Sequence, residues 1–205
     1  MCEDIMHISN TLIYGSRLKC GSPTVANSIL HIPMFKDGLM RLHSKNLTGY
    51  SQCSVNGICW IEQLLDPNRR VCFVDTDQVP GGESNGTGGS AGGNSGGSLV
   101  QNVVEAKLVG QLVQGLIRCG VDAGEIGIMS PYRAQLRLIG HELKGVTGVS
   151  TDDNGATQVN PTGEGAAEVE VLTIDKYQGR DKNCVLVSLV RSNTKKNVSF
   201  LFDFK

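Results

Sequence analysis

Aromatic side chains are scarce in this chain: one tryptophan, four tyrosines and five phenylalanines among 205 residues. Any surface that stacks planar groups must be built from few positions. An excess of one charge is missing as well. A net charge of −1 gives no general attraction to polyanions or membranes, so any nucleic-acid contact must be local. The seven cysteines form no CxxC pair, which excludes a zinc ribbon and fits single thiols in a reducing compartment. The four histidines are equally dispersed, and no metal site is expected. No apolar run approaches the ~20 residues of a membrane-spanning helix. The start, MCEDIMHISNTLIY, is acidic early and lacks a long apolar core, so it does not read as a secretory leader. There is no Gly-x-x-x-x-Gly-Lys-Ser/Thr and no G-x-G-x-x-G after a first strand.

What is present centres on residues 169–193, VEVLTIDKYQGRDKNCVLVSLVRSN. Val169, Val171 and Ile174 open a β-rich run. A polar turn follows, and then CVLVSLV, so continuously apolar that it predicts a strand buried on both faces of a parallel sheet. Across 173–196 there are six basic residues against two acidic ones.

The rest of the chain predicts helices and strands in alternation. Residues 2–13 place Ile5, Ile8, Leu12 and Ile13 near one helical face, an apolar helix so abrupt that it reads as starting inside a larger domain. His31-Ile32-Pro33 breaks any long element, and Trp60 to Leu65 predicts a helical turn ended by Asp66-Pro67. Val71–Val74 reads as a short buried strand before Asp75-Thr76-Asp77. Residues 81–98 are half glycine and read as a flexible insertion. Asn102 is a good N-cap, and Glu105 three residues on completes a capping box. Leu108, Leu112 and Leu116, with Val109, Val113 and Ile117, form that helix's stripe, and Gly120 stops it. A strand follows at Ile126–Met129. Pro131 fits the first turn of a helix that buries Leu136, Ile139 and Leu143. Residues 145–167 read as a polar surface loop. The alternation predicts an α/β domain with a mainly parallel sheet flanked by helices. Without the two glycine-rich stretches about 160 residues remain, enough for one core.

Three polar segments follow predicted strands: Asp75-Thr76-Asp77, Ser130 to Gln135, and Thr173 to Lys182. In an open parallel sheet they could line one cleft. Arg133, Lys176, Arg180 and Lys182 would face phosphate there, with Tyr132 and Tyr177 as stacking surfaces. The residues alone weigh equally for solvated turn charges and core-packed tyrosines.

LTIDKYQGRDKNCVLVSLVRSN resembles motif V and the following strand of superfamily 1 helicases, in the 5′-to-3′ branch that includes the replication helicase-nucleases. N-x-x-E-A at Asn102–Ala106, IGIMSPYRAQ at 126–135 and the N-terminal MCEDIMHISNTLIYGSRLKCGS resemble the same family in the same order. The resemblance implies a second RecA-like domain, of P-loop NTPase type, partial over 1–205. It implies an ATP-dependent DNA helicase that uses ATP and Mg²⁺. Its partners would be single-stranded DNA (RNA as the alternative) and the motor's first RecA-like domain, with no membrane. It would work in the nucleus, with mitochondria as a second site. A non-catalytic nucleic-acid-binding remnant is the other alternative.

By position, Gly179 and Asp181 would approach the nucleotide. Asp181 stands where the family more often has Glu. Thr173, Asp175, Lys176 and Gln178 would contact nucleic acid or relay the state of ATP, and Pro131, Tyr132, Arg133 and Gln135 would face the strand. Arg191 and Ser192 match the stretch after motif V, where Arg191 would also contact nucleic acid or take part in coupling, and Glu105 reads as a cap. The P-loop, a Walker-B acidic pair and the family's C-terminal arginine motif are absent, so no catalytic set is complete here and the chain alone is expected to be inactive.

Overall fold

The computed structural model describes residues 1–44, 54–55, 58–76, 79–85, 100–147, 149–151, 157–159 and 168–192. The chain divides into two compact units. The first comprises Met1–Val74 with Arg118–Val121, and the second Asp75–Ile117 with Asp122–Lys205.

In the first unit α1 covers Glu3–Ser9 and runs into a π-helical turn, Asn10–Tyr14, that ends at Gly15 in the left-handed region. The single amphipathic helix expected over 2–13 is therefore corrected. The wider π turn rotates Leu12 and Ile13 out of register with Ile5 and Ile8. Ile5 and Ile8 are each 44% exposed, Leu12 is 77% exposed and Ile13 is 73% exposed. The inward position is Asn10, whose carboxamide clasps Leu18 by accepting from its N–H at 2.9 Å and donating to its carbonyl at 3.1 Å. Helix α2 is Pro23–Ala26 and α3 is Phe35–Ser44. Gly38 of α3 lies so close to Cys119 that an added Cβ would sit 2.6 Å from its Cα. A two-stranded ladder, β1 (Ser54–Val55) with β2 (Ile58–Cys59), leads into the expected turn α4 (Trp60–Leu64). Val71–Val74 is not a buried strand: Phe73 is 82% exposed and the run pairs with nothing among the described residues. A four-residue apolar run without a neighbouring strand cannot satisfy its backbone as sheet.

In the second unit β3 (Ser84–Asn85) pairs antiparallel with β4 (Val100–Gln101). Helix α5, Val103–Arg118, starts at Asn102 as its sequence requires and buries Val109, Leu112, Val113 and Leu116, while Gly120 adopts φ 88°. Then come β5 (Ile126–Ser130), α6 (Arg133–Thr147), β6 (Val149–Thr151), β7 (Thr157–Val159), β8 (Glu170–Thr173), α7 (Ile174–Tyr177) and β9 (Cys184–Val187). Pro131 precedes α6 by two residues rather than opening it, because the first helical bond runs from the Leu136 N–H to the Tyr132 carbonyl. Two strands fall inside the 145–167 stretch expected to be a loop. Their β-branched residues flank the turn-forming Asp-Asp-Asn-Gly, which favours a hairpin. Residues 145–147 end α6, while 148, 152–156 and 160–167 of that stretch, and 86–98 of the glycine-rich one, lie outside the described residues.

The sheet order is β6-β7-β8-β5-β9, with β8, β5 and β9 parallel. Ile126, Ile128 and Val171 share the face that α6 covers, with Leu136, Ile139 and Leu143 buried there too. The opposite face carries Gly127, Met129, Val185 and Val187. β9 is not buried on both faces: Val185 and Val187 are 41% and 50% exposed. Exposed Val185 and Val187 alternate with half-buried Cys184 and Leu186, so one face of the strand meets solvent.

Candidate nucleic-acid interface

Because β5, β8 and β9 run parallel, their carboxyl ends form one edge, with Ser130 opposite Thr173. Two of the three polar segments meet there. The third does not, since no strand precedes Asp75 and Thr76, and Asp77 lies outside the described residues. At this edge α6 begins with an exposed Arg133 and no acidic residue in its first turn. A cation is disfavoured at a helix N-terminus unless an anion shares the site, and the first-turn amides themselves favour an anion. Pro131 and Tyr132 are half-buried, and the Ser130 hydroxyl accepts the Tyr132 N–H at 3.3 Å. Thr173 is half-buried beside them, while Asp175 and Lys176 are exposed on α7.

From Thr173 the chain must return to the amino end of β9, which lies beyond β5. Residues 174–183 therefore cross β5 on the uncovered face. Tyr177 marks the crossing, 6% exposed and laid over Gly127. Tyr177 is thus no stacking surface; it is packed, and of the two readings left open above, the core-packed one holds for it. Burial, reinforced by Glu170 and Cys184, pushes its hydroxyl up to about 12. Burial likewise raises the Cys184 thiol to about 11.

Past Tyr177 the connection exposes Gln178, Gly179 at φ 82° and Asp181, with nothing within 4 Å of the space a Gly179 side chain would fill. It then reaches the amino ends of the strands. Arg180 pairs with Glu170 at 2.5 Å, Lys182 donates to the Gly124 carbonyl at 2.5 Å, and Asn183 donates to Glu125 at 2.6 Å. Lys182 also stands 3.8 Å from Glu170 Oε2, an ion-pair separation too long for a hydrogen bond. The expected single cleft with four cations is corrected on this point. Arg133 belongs to the carboxyl edge and Lys176 to the helix that leaves it, whereas Arg180 and Lys182 share Glu170 at the other end.

Gln135 is not at the surface. It is fully buried, accepting the Asn102 N–H at 2.8 Å and donating to the Asn102 carbonyl and to Ser188 Oγ, each at 3.0 Å. Glu105 also departs from its expected role. Asn102 caps the Glu105 N–H at 3.1 Å, but the Glu105 carboxylate does not return to the cap. Its Oε2 accepts from Ser188 Oγ at 2.7 Å and from the Val190 N–H at 3.0 Å. Val190 has φ 72° and is spanned by an Arg191 N–H to Leu189 carbonyl bond of 2.8 Å, a γ-turn of the rarer positive-φ kind. A β-branched residue there is strained and must be held by its surroundings. Arg191 is closed on Glu83 at 3.0 Å. Sequence reasoning missed Ser188, Val190 and Glu83. The signal for Ser188 was present: a lone hydroxyl inside an apolar strand needs buried partners.

The whole chain, residues 1–205, matches a family profile described as AAA domain. The chain belongs to this family. Among curated proteins it is 38% identical over 193 residues to the DNA replication ATP-dependent helicase/nuclease of Mus musculus, covering 94% of this chain and 15% of that protein. The Homo sapiens counterpart gives the same identity and coverage. The Saccharomyces cerevisiae counterpart is 34% identical over 197 residues, 96% of this chain and 11% of that protein. The chain thus spans about a seventh of the length of the two mammalian relatives. Its parallel sheet with flanking helices is the RecA-like architecture expected of an AAA domain. Among the described residues no helix is long and apolar enough to cross a membrane, and no three His, Cys, Asp or Glu side chains gather as a metal site.

Proposed function

We propose that this chain is the second RecA-like half of an ATP-dependent DNA helicase, binding single-stranded DNA along the carboxyl edge of its sheet and forming one wall of an ATP cleft. The observation that carries this is the connection 174–183. It leaves the edge at Thr173, is pinned where Tyr177 lies on Gly127, and emerges at Gly179 and Asp181. One short segment therefore joins a phosphate-suited edge to an open glycine backbone.

At the edge the α6 N-terminus, Arg133 and Lys176 take phosphates, Pro131, Tyr132 and Thr173 shape the surface, and Asp175 and Gln178 carry movement along the connection. ATP would meet the exposed Gly179 backbone and the Asp181 carboxylate, a set suited to the sugar's hydroxyls. The nearby cations Arg180 and Lys182 are engaged elsewhere, so phosphates and Mg²⁺ belong to the first RecA-like domain, the partner of this one. When bound, ATP supplies the energy of closing the two domains. The intact enzyme works in the nucleus.

The test is fluorescence anisotropy of a labelled single-stranded oligonucleotide against salt. With about three phosphate contacts, affinity should fall ~20-fold between about 50 and about 200 mM salt. The chain alone should show no DNA-stimulated ATP hydrolysis. No binding at low salt, or robust hydrolysis, overturns the proposal; tighter binding of an RNA oligonucleotide redirects it to RNA.

A further inference from the structure

The turn after β9 presents two donors to one acceptor. Arg191 donates from its guanidinium to Glu83 Oε1 at 3.0 Å, and the Ser192 N–H donates to Glu83 Oε2 at 3.2 Å. A guanidinium and a backbone amide that converge on two oxygens of one anion form the geometry used for phosphate. Here the anion is internal, and the Glu83 carboxylate stands in the place of phosphate oxygens. Both side chains are five-sixths covered, at 16% and 17% exposure.

The donors do not fall into place by chain preference. Val190 is held at φ 72° by Glu105 Oε2 on its N–H and by Asn102 Nδ2 at 3.5 Å from its carbonyl. Ser188, the first residue of the segment, is fixed between Gln135 and Glu105. Strained backbone fixed by several buried polar groups is characteristic of ligand clamps. The segment leaves β9 at the same carboxyl edge as Ser130 and Thr173. Glu83 sits between Gly82, where an added Cβ would stand 3.2 Å from the Ser192 carbonyl oxygen, and the two-residue strand β3.

We infer that Arg191 and the Ser192 amide form a binding site for one phosphate of a nucleic-acid backbone, closed in this conformation by the Glu83 carboxylate. The inference rests on the proposed nucleic-acid edge and adds a self-blocking contact to it. Opening exchanges one anion for another on the same donors and needs no new covalent chemistry. Arg191 is then silent while Glu83 holds it, and adds one contact once Glu83 is released.

The experiment measures labelled oligo-dT binding by the full chain against salt, with folding of each variant followed by thermal melting. Glu83→Gln should bind more tightly and steepen the salt slope by about 0.7, so that the loss between about 50 and about 200 mM salt grows about threefold. Glu83→Gln combined with Arg191→Gln should return to the parental slope. Arg191→Gln alone should leave the parental slope unchanged. Glu83→Asp, which draws the carboxylate back by one methylene, is the second variant should Glu83→Gln not fold, and it should give an intermediate slope. Parental slopes in the folded Glu83 variants overturn the closed site and leave the nucleic-acid edge standing, as does a shallower slope in Arg191→Gln alone. Absence of binding by every variant overturns both.

Discussion

Tyr177 lies across Gly127 so closely that a Cβ on the glycine would fall 1.6 Å from the phenolic oxygen and 2.6 Å from the ring carbon that bears it. The only side chain β5 can carry there is none, because the connection between β8 and β9 must cross it. Gly127→Ala should therefore displace the crossing and destabilise the second unit by about 1–3 kcal/mol, the range for overpacking a filled site. Tyr177→Ala should cost stability by itself, yet suppress most of the additional effect of Gly127→Ala. Urea unfolding of the two single variants and the double variant measures this, and additive effects would contradict it.

Glu105→Ala removes the acceptor shared by Ser188 Oγ and the Val190 N–H. Two buried donors lose their partner, which predicts a loss of about 1–3 kcal/mol for the unsatisfied groups. Glu105→Gln keeps an acceptor oxygen and should cost less. Amide hydrogen exchange supplies the local readout. Val190 should lose protection in Glu105→Ala by more than residues of α6 do, because the turn is held by this carboxylate and not by its own preference.

The Tyr177 hydroxyl is raised to about 12, above the ordinary value of 10.0. Its folded state resists ionisation that the unfolded chain accepts. Stability from this residue is then fully present below about pH 10. It declines as the pH rises towards about 12, where the folded form ionises too. The urea midpoint should fall over that window in the parental chain and fall less in Tyr177→Phe.

Lys176 and Lys182 stand six residues apart and should behave oppositely. Lys176 is exposed on α7, close to the carboxyl edge, so Lys176→Gln should reduce the salt slope of oligonucleotide binding by about 0.7 with little change in stability. Lys182 is tied to the Gly124 carbonyl and Glu170, so Lys182→Gln should lower stability and leave the slope unchanged. Equal slopes for both lysine variants would show that the connection does not separate the two ends as described.

Cysteine reactivity should separate the thiols. Cys184 is raised to about 11 by burial, and Cys119 is raised by the same cause. Cys72 is exposed. Thiolate is the reacting form, so mild alkylation at pH 8 followed by peptide mapping should modify Cys72 first and leave Cys184 and Cys119 until the chain unfolds.

Local rules alone determined much of the second unit. The N-cap at Asn102, the apolar stripe of α5, the strand at 126–130 and the buried face of α6 depend on neighbours three or four positions away, and they stand where periodicity and capping put them. The motif wording was local as well, and it led to superfamily 1 helicases, a reading that the family match and the relatives support. What needed the tertiary structure was everything that depends on distant partners. The exposure of Leu12 and Ile13 followed from a π turn, and that of Phe73 from an apolar run with no neighbouring strand among the described residues, neither of which composition encodes. The division of four basic residues between two ends of the sheet followed from strand order, because β5 lies between β8 and β9 and the chain must cross it. The roles of Gln135, Glu105 and Glu83 followed from contacts 33 to 109 residues away in sequence. A side chain's partners at such distances are fixed by how the sheet and helices pack, and no local pattern carries that information.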